Sequence, residues 1–417
     1  MTPEPVVWVG EAAARVECSV QRARIVHGRN DPTSQPAPST ATLELVGPLP
    51  PEAVIGARVE VRADLGGGEQ LERFAGEVTD LGVGWDSVDV AVPRIIATGD
   101  LGRTGRRPVG DVPWPQELDG ARVARVLELA GFPPDPALTD PGLVEVLARD
   151  VDRQPALALA HEAADDGGGI VWQDRAGRIL YADAVHRRRT PIALELQACD
   201  VGLGLGWVQS LEGLVNEVTI RYGPTPEAGE QPEVHATDPV SIAARGLYGA
   251  SLTTRIATEL DAQRRADTVV VRQARPTWVL EGLEVDLELF TLDEVRALLE
   301  LDVHGLVSVT GLPAGSPATS ALLWVEGWSE DIVATQGGGV SWRVAFATSD
   351  YCRTAGTPRW DDLPAAETWD TLDPGLVWDS AWCIPPQPSR GRWDDVAAST
   401  RWDQLPPALT WDAWPTV

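Results

Sequence analysis

The chain has 417 residues, 43% hydrophobic and 23% charged, with a formal net charge of −28. That is length for two to four domains and a balance ordinary for a folded globular protein. The acidity excludes sequence-wide attraction to DNA or RNA, because like charge repels polyphosphate.

No apolar run, Val269–Val271 being typical, approaches the roughly 20 residues a bilayer span needs. Met1-Thr2-Pro3-Glu4-Pro5 lacks the basic start and apolar core of a signal peptide. The expectation is a protein kept in a cytoplasm unless a larger assembly carries it out. All 34 basic residues are arginine, Met occurs only at Met1, and Asn only at Asn30 and Asn216. Lys, Met and Asn use AT-rich codons, so the bias reads as a GC-rich genome, with selection for Arg at ion pairs as the weaker account. Cys18, Cys199, Cys352 and Cys383 show no zinc or redox spacing and are expected to be reduced and mostly buried.

Taken in order, the first hundred residues alternate with period two. Ala41, Leu43 and Leu45 do so, then Val59, Val61 and Ala63, then Val88, Val90 and Val92. Gly66-Gly67-Gly68 and Gly82-Val83-Gly84 are read as turns between these runs, giving a small antiparallel barrel or sandwich. A Gly-, Pro- and Arg-rich loop from about Gly99 to Pro115 ends this unit. Val123, Val126, Leu127 and Ala130 then follow helical spacing, stopped at Gly131. A second short helix spans Pro155 to Ala164, and Gly167-Gly168-Gly169 closes it. Ile170–Trp172 and Ile179–Tyr181 form a hairpin around Ala176-Gly177.

Strands resume at Val215–Tyr222, and a helix is predicted from about Thr254 to Gln273. Another begins at Thr291, with Glu294 three residues on as in a capping box and Val295, Leu298 and Leu299 as its buried stripe. Leu306–Thr310 and Ser341–Ala347 are the last strands.

The final sixty residues differ in kind. Trp360, Trp369 and Trp378 stand nine apart, each followed by Asp, and after Pro385-Pro386 the spacing repeats at Trp393, Trp402 and Trp411. This internal repeat holds eight of the 17 tryptophans and few aliphatics. Nine residues extended as polyproline II cover roughly 28 Å, so these six indoles are read as anchors for successive pockets on a partner or a neighbouring subunit. The blander reading is that they cover β edges of their own chain; stacking on host-wall sugars is a third.

The order of pieces resembles the minor tail or baseplate hub proteins of long-tailed actinobacteriophages. The segments that carry the resemblance are Gly28-Arg29 before the Ala41–Leu45 strand, Phe74-Ala75-Gly76-Glu77-Val78, Leu127-Glu128-Leu129-Ala130-Gly131 with Pro133, and Leu214 to Gly223. Asp238-Pro239-Val240-Ser241-Ile242, Asp261-Ala262 and Gly311-Leu312-Pro313 complete them. What the resemblance implies is an α+β, mainly β chain with two tail-tube-like β-barrel or sandwich domains, residues 1–105 and 206–355. Between them lies an α+β insert, 106–205, and after them an irregular Trp-Asp tail, 356–417. It further implies a virion protein of the tail tip, assembled in the bacterial cytoplasm as a homotrimer. Distal tail or tail-tube proteins, other tip or fibre proteins and the tape measure protein would be its partners. DNA would pass through without sequence-specific binding, and cell wall or membrane would be met only by the assembled tip.

Enzyme signatures are weak, and the expectation is a non-enzyme with no cofactor or metal. His161-Glu162-Ala163-Ala164-Asp165 resembles the HExxH zinc motif with Asp in place of the second His, and is read as a solvated helix end. Gly202-Leu203-Gly204-Leu205-Gly206 precedes a strand, not the helix a dinucleotide fingerprint requires. Asp361-Asp362 and Asp394-Asp395 carry little in so acidic a chain. Arg187-Arg188-Arg189, the one dense basic run, is read first as solvated surface and second as a contact to an acidic neighbour. The alternative function from another class is a virion-associated glycan-binding protein or peptidoglycan hydrolase.

Overall fold

Period-two alternation in the first hundred residues becomes a seven-stranded antiparallel unit. Its strands are β1 (Glu4–Val9), β2 (Val16–Cys18), β3 (Val20–Gly28), β4 (Thr40–Leu45), β5 (Arg58–Gly66), β6 (Glu69–Ser87) and β7 (Val90–Gly99). The computed structural model describes residues 2–351 except 12, 88–89, 203, 225–229 and 336. Ala41, Leu43 and Leu45 of β4 and Val59, Val61 and Ala63 of β5 all point into the core, as alternation requires.

Gly66 to Gly68 make the expected turn, each with a left-handed φ. Gly82 and Gly84 do not. They lie inside β6, opposite Arg94 and Val92 of β7, in an arm that runs past the core. Side chains there face no second layer: Val83 is 50% and Trp85 74% exposed. For the same reason Val92 is only half-buried, and Ile95 and Ala97 are the core residues of β7. Position 88 of the expected stripe lies outside the described residues.

The loop predicted after β7 contains a short helix, α1 (Asp100–Thr104), followed by α2 (Asp119–Leu129) and α3 (Ala156–Gly167). α2 buries Val123, Val126 and Leu127. α3 closes at Gly168 with φ +74°, a left-handed cap that suits glycine. The predicted hairpin is β8 (Ile170–Gln173) paired with β9 (Ile179–Ala182). Leu101, Trp114, Leu127, Ala160 and Tyr181 belong to the separate core of this unit.

The remaining strands are β10 (Ile192–Gln197), β11 (Gly206–Gln209), β12 (Glu217–Arg221), β13 (Glu233–Thr237), β14 (Gly249–Thr253), β15 (Trp278–Glu281), β16 (Leu283–Asp286), β17 (Leu306–Thr310), β18 (Ala321–Ala334) and β19 (Val340–Asp350). Among them lie α4 (Pro239–Arg245), α5 (Glu259–Gln273) and α6 (Leu292–Glu300). β12 pairs antiparallel with β13 and parallel with β14. α5 covers this small sheet, and Val218, Ile220, Ala262, Ala266 and Val269 make a third core. α5 begins later than predicted, because Thr258 caps it by accepting from the Asp261 amide and Gly249–Thr253 is a strand. The capping box at Thr291 and Glu294 forms as predicted, and Val295, Leu298 and Leu299 are buried.

One sheet of 12 strands dominates, ordered β10-β17-β18-β3-β4-β7-β6-β5-β1-β2, with β19 on β18 and β16 on β19. The join between the N-terminal strands and the C-terminal ones is β3 against β18, from Gly28 opposite Gly327 to Arg22 opposite Val333. The fold is therefore mainly β with α+β elements. Of the cysteines, Cys18 is half-buried but Cys199 is exposed, against expectation. Cys199 lies in a short helical turn after β10, Ala198–Asp200, none of whose residues is buried. No described helix is long and apolar enough to cross a membrane.

Candidate functional site

Trp360, Trp369, Trp378, Trp393, Trp402 and Trp411, the expected anchors, lie outside the described residues, as do Cys352, Cys383 and the Asp361-Asp362 and Asp394-Asp395 pairs. Among the described residues the polar side chains converge elsewhere, along the β3–β18 join.

β18 reads Ala-Leu-Leu-Trp-Val-Glu-Gly-Trp-Ser-Glu-Asp-Ile-Val-Ala; alternation turns Trp328, Glu330 and Ile332 to one side, Glu326 sits at the register shift between Val325 and Gly327, and all four are 2% exposed or less. Two carboxylates are thus carried into a core, where each needs a complete set of donors. Glu326 receives Arg187 through Nη1 to Oε1 and Nη2 to Oε2, both 2.7 Å, and Arg29 through Nε at 2.8 Å. Ser349 Oγ donates to Oε1 at 2.5 Å. Burial alone would raise the Glu326 pKa, but Arg187 and Arg29 outweigh it and hold the group at about 2.

Glu330 receives Arg73 Nη2 at 2.6 Å, Trp328 Nε1 at 2.9 Å and Trp342 Nε1 at 3.0 Å. Arg73 also donates to the Leu299 carbonyl at the end of α6. Beside it, His27 Nε2 donates to the Arg73 carbonyl at 2.8 Å, which leaves Nδ1 to accept from Ser39 Oγ at 2.8 Å. The His27 ring stacks on Trp328 at 4.5 Å, and burial lowers its pKa to about 4.

The backbones meet closely at the same place. Gly28 takes φ +74°, and a Cβ there would stand 2.4 Å from the Glu326 carbonyl oxygen. A Cβ on Gly327 would stand 2.4 Å from the His27 carbonyl oxygen. Only glycines let the two strands approach so closely. The register of β18 against β19 shifts between Val325 and Gly327, at the same point.

The reading of Arg187-Arg188-Arg189 as solvated surface is corrected for Arg187, which is 7% exposed and fully engaged. Its turn folds back over β18, so the guanidinium points inward. The zinc-like residues are dispersed among other partners. Glu162 pairs with Arg149 at 2.8 Å and Arg255 at 2.5 Å, while Asp165 accepts from Gln35 at 2.6 Å. Burial lowers the pKa of His161. Gly202 to Gly206 lead into strand β11, not a helix. Chemically the β3–β18 cluster is a clamp: every polar atom of both carboxylates is taken by donors from distant segments.

No family model matches the sequence. No curated protein matches it either. Solved structures do. The crystal structure of a tail protein from Neisseria meningitidis MC58 superposes with a TM-score of 0.59 at 12% identity, covering 84% of this chain and 98% of that one. The 43 kDa tail protein of prophage MuSo2 from Shewanella oneidensis gives 0.57 at 13%, covering 84% and 99%. A prophage tail protein from Listeria monocytogenes EGD-e gives 0.52 at 10%, covering 82% and 94%. The chain has the fold of these tail proteins.

Proposed function

We propose that the chain is a structural subunit of a phage tail tip, a baseplate hub that joins the tail tube to tip or fibre proteins. Three copies form a ring around the exit path of the tape measure protein and DNA. The observation that carries this reading is the likeness to two solved tail proteins, one of them from a prophage, over 98–99% of their chains. A likeness of that extent takes in every unit of the fold, not one common module. Supporting it are strands β10, β2 and β16 at the ends of the sheet, each paired on one side only among the described residues and so able to take a neighbour's strand. The net charge of −28 gives a conduit no sticky surface for DNA.

The division into residues 1–105, 106–205, 206–355 and 356–417 belongs to this reading, as does a role for the Trp-Asp tail as clasp between subunits. So do the virion location and a purely structural role. A GC-rich actinobacterial host is its source.

Light scattering of the purified chain with and without residues 356–417 tests it. A trimer, or rings in electron micrographs, is expected, with loss of assembly on truncation if the tail is the clasp. A monomer in both forms, combined with clearing of host walls in a zymogram, would replace the hub with a wall hydrolase.

A further inference from the structure

Behind the Glu326 clamp lies a cleft of about 140 Å³, several times the roughly 30 Å³ share of one water in the liquid. The C-terminal end of α3, the β8–β9 hairpin, α5, the loop after β3 and the turn before β17 all supply walls. Arg29, Arg187, Arg265 and Arg272 line it against only two carboxylates, Asp165 and Asp183. Counting Glu326, which Arg29 and Arg187 already hold, four guanidiniums stand against three carboxylates, a local excess of one positive charge in a chain of net charge −28.

Two donors in that lining are unspent. His304 is 6% exposed and takes the left-handed backbone, φ 71°, which is uncommon for a side chain of its size. Arg187 Nε donates to its Nδ1 at 2.8 Å, so Nδ1 carries no hydrogen and Nε2 does. That buried Nε2–H has no hydrogen-bond partner among the described residues. Arg265 forms no ion pair among the described residues. Its one hydrogen bond there is a long one, 3.4 Å, from Nη2 to the Asp165 carbonyl, and its buried Nε is unpartnered. Gly168 makes room for it, since a Cβ there would stand 2.5 Å from Arg265 Nη1. Buried donors left unmade are costly, and here two of them share one cleft with a surplus of cations.

We propose that this cleft is a seat for one oxyanion, a carboxylate- or phosphate-type group, with His304 Nε2–H and the Arg265 guanidinium as its donors. It rests on described residues alone and stands whether or not the chain is a tail-tip subunit. The group has two sources, a free anion or an aspartate of the chain's own Trp-Asp repeats. Favouring the second, Tyr351 stacks on Trp324 at 5.5 Å, and Arg187 of the cleft wall covers the same Trp324 ring at 5.4 Å. Tyr351, the last described residue before the repeats, therefore stands beside the cleft wall.

Calorimetric titration of inorganic phosphate into the full chain, at constant ionic strength, tests the seat. One site per chain is expected, weakened about tenfold or more by Arg265→Gln, as loss of a charge-assisted hydrogen bond implies. His304→Asn is the second variant, since Asn tolerates a left-handed φ; it too should weaken binding while the circular dichroism stays unchanged. If the wild type takes no phosphate but a chain with Asp361, Asp370, Asp379, Asp394, Asp403 and Asp412 changed to Asn does, the seat is filled by the chain's own carboxylates. No saturable binding in either form overturns the proposal. So does many-site binding, or binding that folded Arg265→Gln and His304→Asn leave unchanged.

Discussion

Arg187 grips Glu326 through two hydrogen bonds of 2.7 Å, across 139 residues of sequence, and so ties the turn after β9 to strand β18. Both side chains are 8% exposed or less. In such surroundings the pair is worth little against well-packed apolar residues, but either member alone is expensive. Arg187→Met should therefore cost about 3–5 kcal/mol in urea unfolding. The double variant Arg187→Met with Glu326→Leu should recover part of that loss, Arg29 then being the group left short of a partner. Equal losses from the single and double variants would show that packing of Arg187, not its charge, is what matters.

The glycine pair at the same join gives a sharper steric forecast. Gly327→Ala puts a methyl 2.4 Å from a backbone oxygen that cannot rotate away. Overpacking of this kind costs typically about 1–3 kcal/mol, occasionally more, and here it strains the β3–β18 register as well. Gly47→Ala is the comparison. Nothing lies within 4 Å of its would-be Cβ, so only the left-handed φ of +89° opposes it, a penalty of roughly 1–2 kcal/mol. Thermal melts should rank Gly327→Ala below Gly47→Ala; the reverse order would refute a close-packed join.

His27 makes the join sensitive to acid. Its pKa is about 4 in the folded chain against an ordinary 6.5, so the unfolded chain binds the proton more readily. The stability it contributes is complete above pH 6.5 and is lost as the pH falls from 6.5 toward 4. Asp166, held up to about 7 by burial, and Asp302, held up to about 6, act in the opposite direction. Theirs is complete below the ordinary 3.8 and is lost as the pH rises through 6 to 7. The measurable quantity is thus a difference: His27→Gln should remove about 3 kcal/mol of acid-side loss between pH 6.5 and 4 relative to wild type. Identical slopes in the two proteins would mean that His27 does not titrate in this window.

Much of the architecture was legible because it rests on local rules. The Thr291–Glu294 capping box, the α3 stop at Gly168 and the alternation of β4 and β5 each follow from a few neighbouring residues. The Gly82 and Gly84 turns failed because glycine permits a turn without compelling one, and pairing with β7 kept the chain extended. The clamp was hidden for a different reason. Arg29, Arg73 and Arg187 reach β18 only after folding, and a run of arginines next to a hairpin carries the same local signal whether it faces water or a buried carboxylate. One trace was present: Glu326 and Glu330 interrupt the apolar stretch Leu322–Val333 beside two tryptophans. Carboxylates so placed must either break the strand or find cations.

The arm of β6 and β7 offers a test that separates assembly from folding. Trp85 at 74% exposure and Val83 at 50% stand beyond the core, so their removal should leave the stability of the isolated chain within about 0.5 kcal/mol. An exposed indole at the end of a paired arm is costly to leave in water, however, and tryptophan is favoured where subunits meet. If the chain builds a ring, Trp85→Ala should lower the mass measured by light scattering at a fixed concentration while the melting temperature of the dissociated chain is unchanged. A fall in both would assign the arm to the fold itself. A change in neither would remove it from the contacts between subunits.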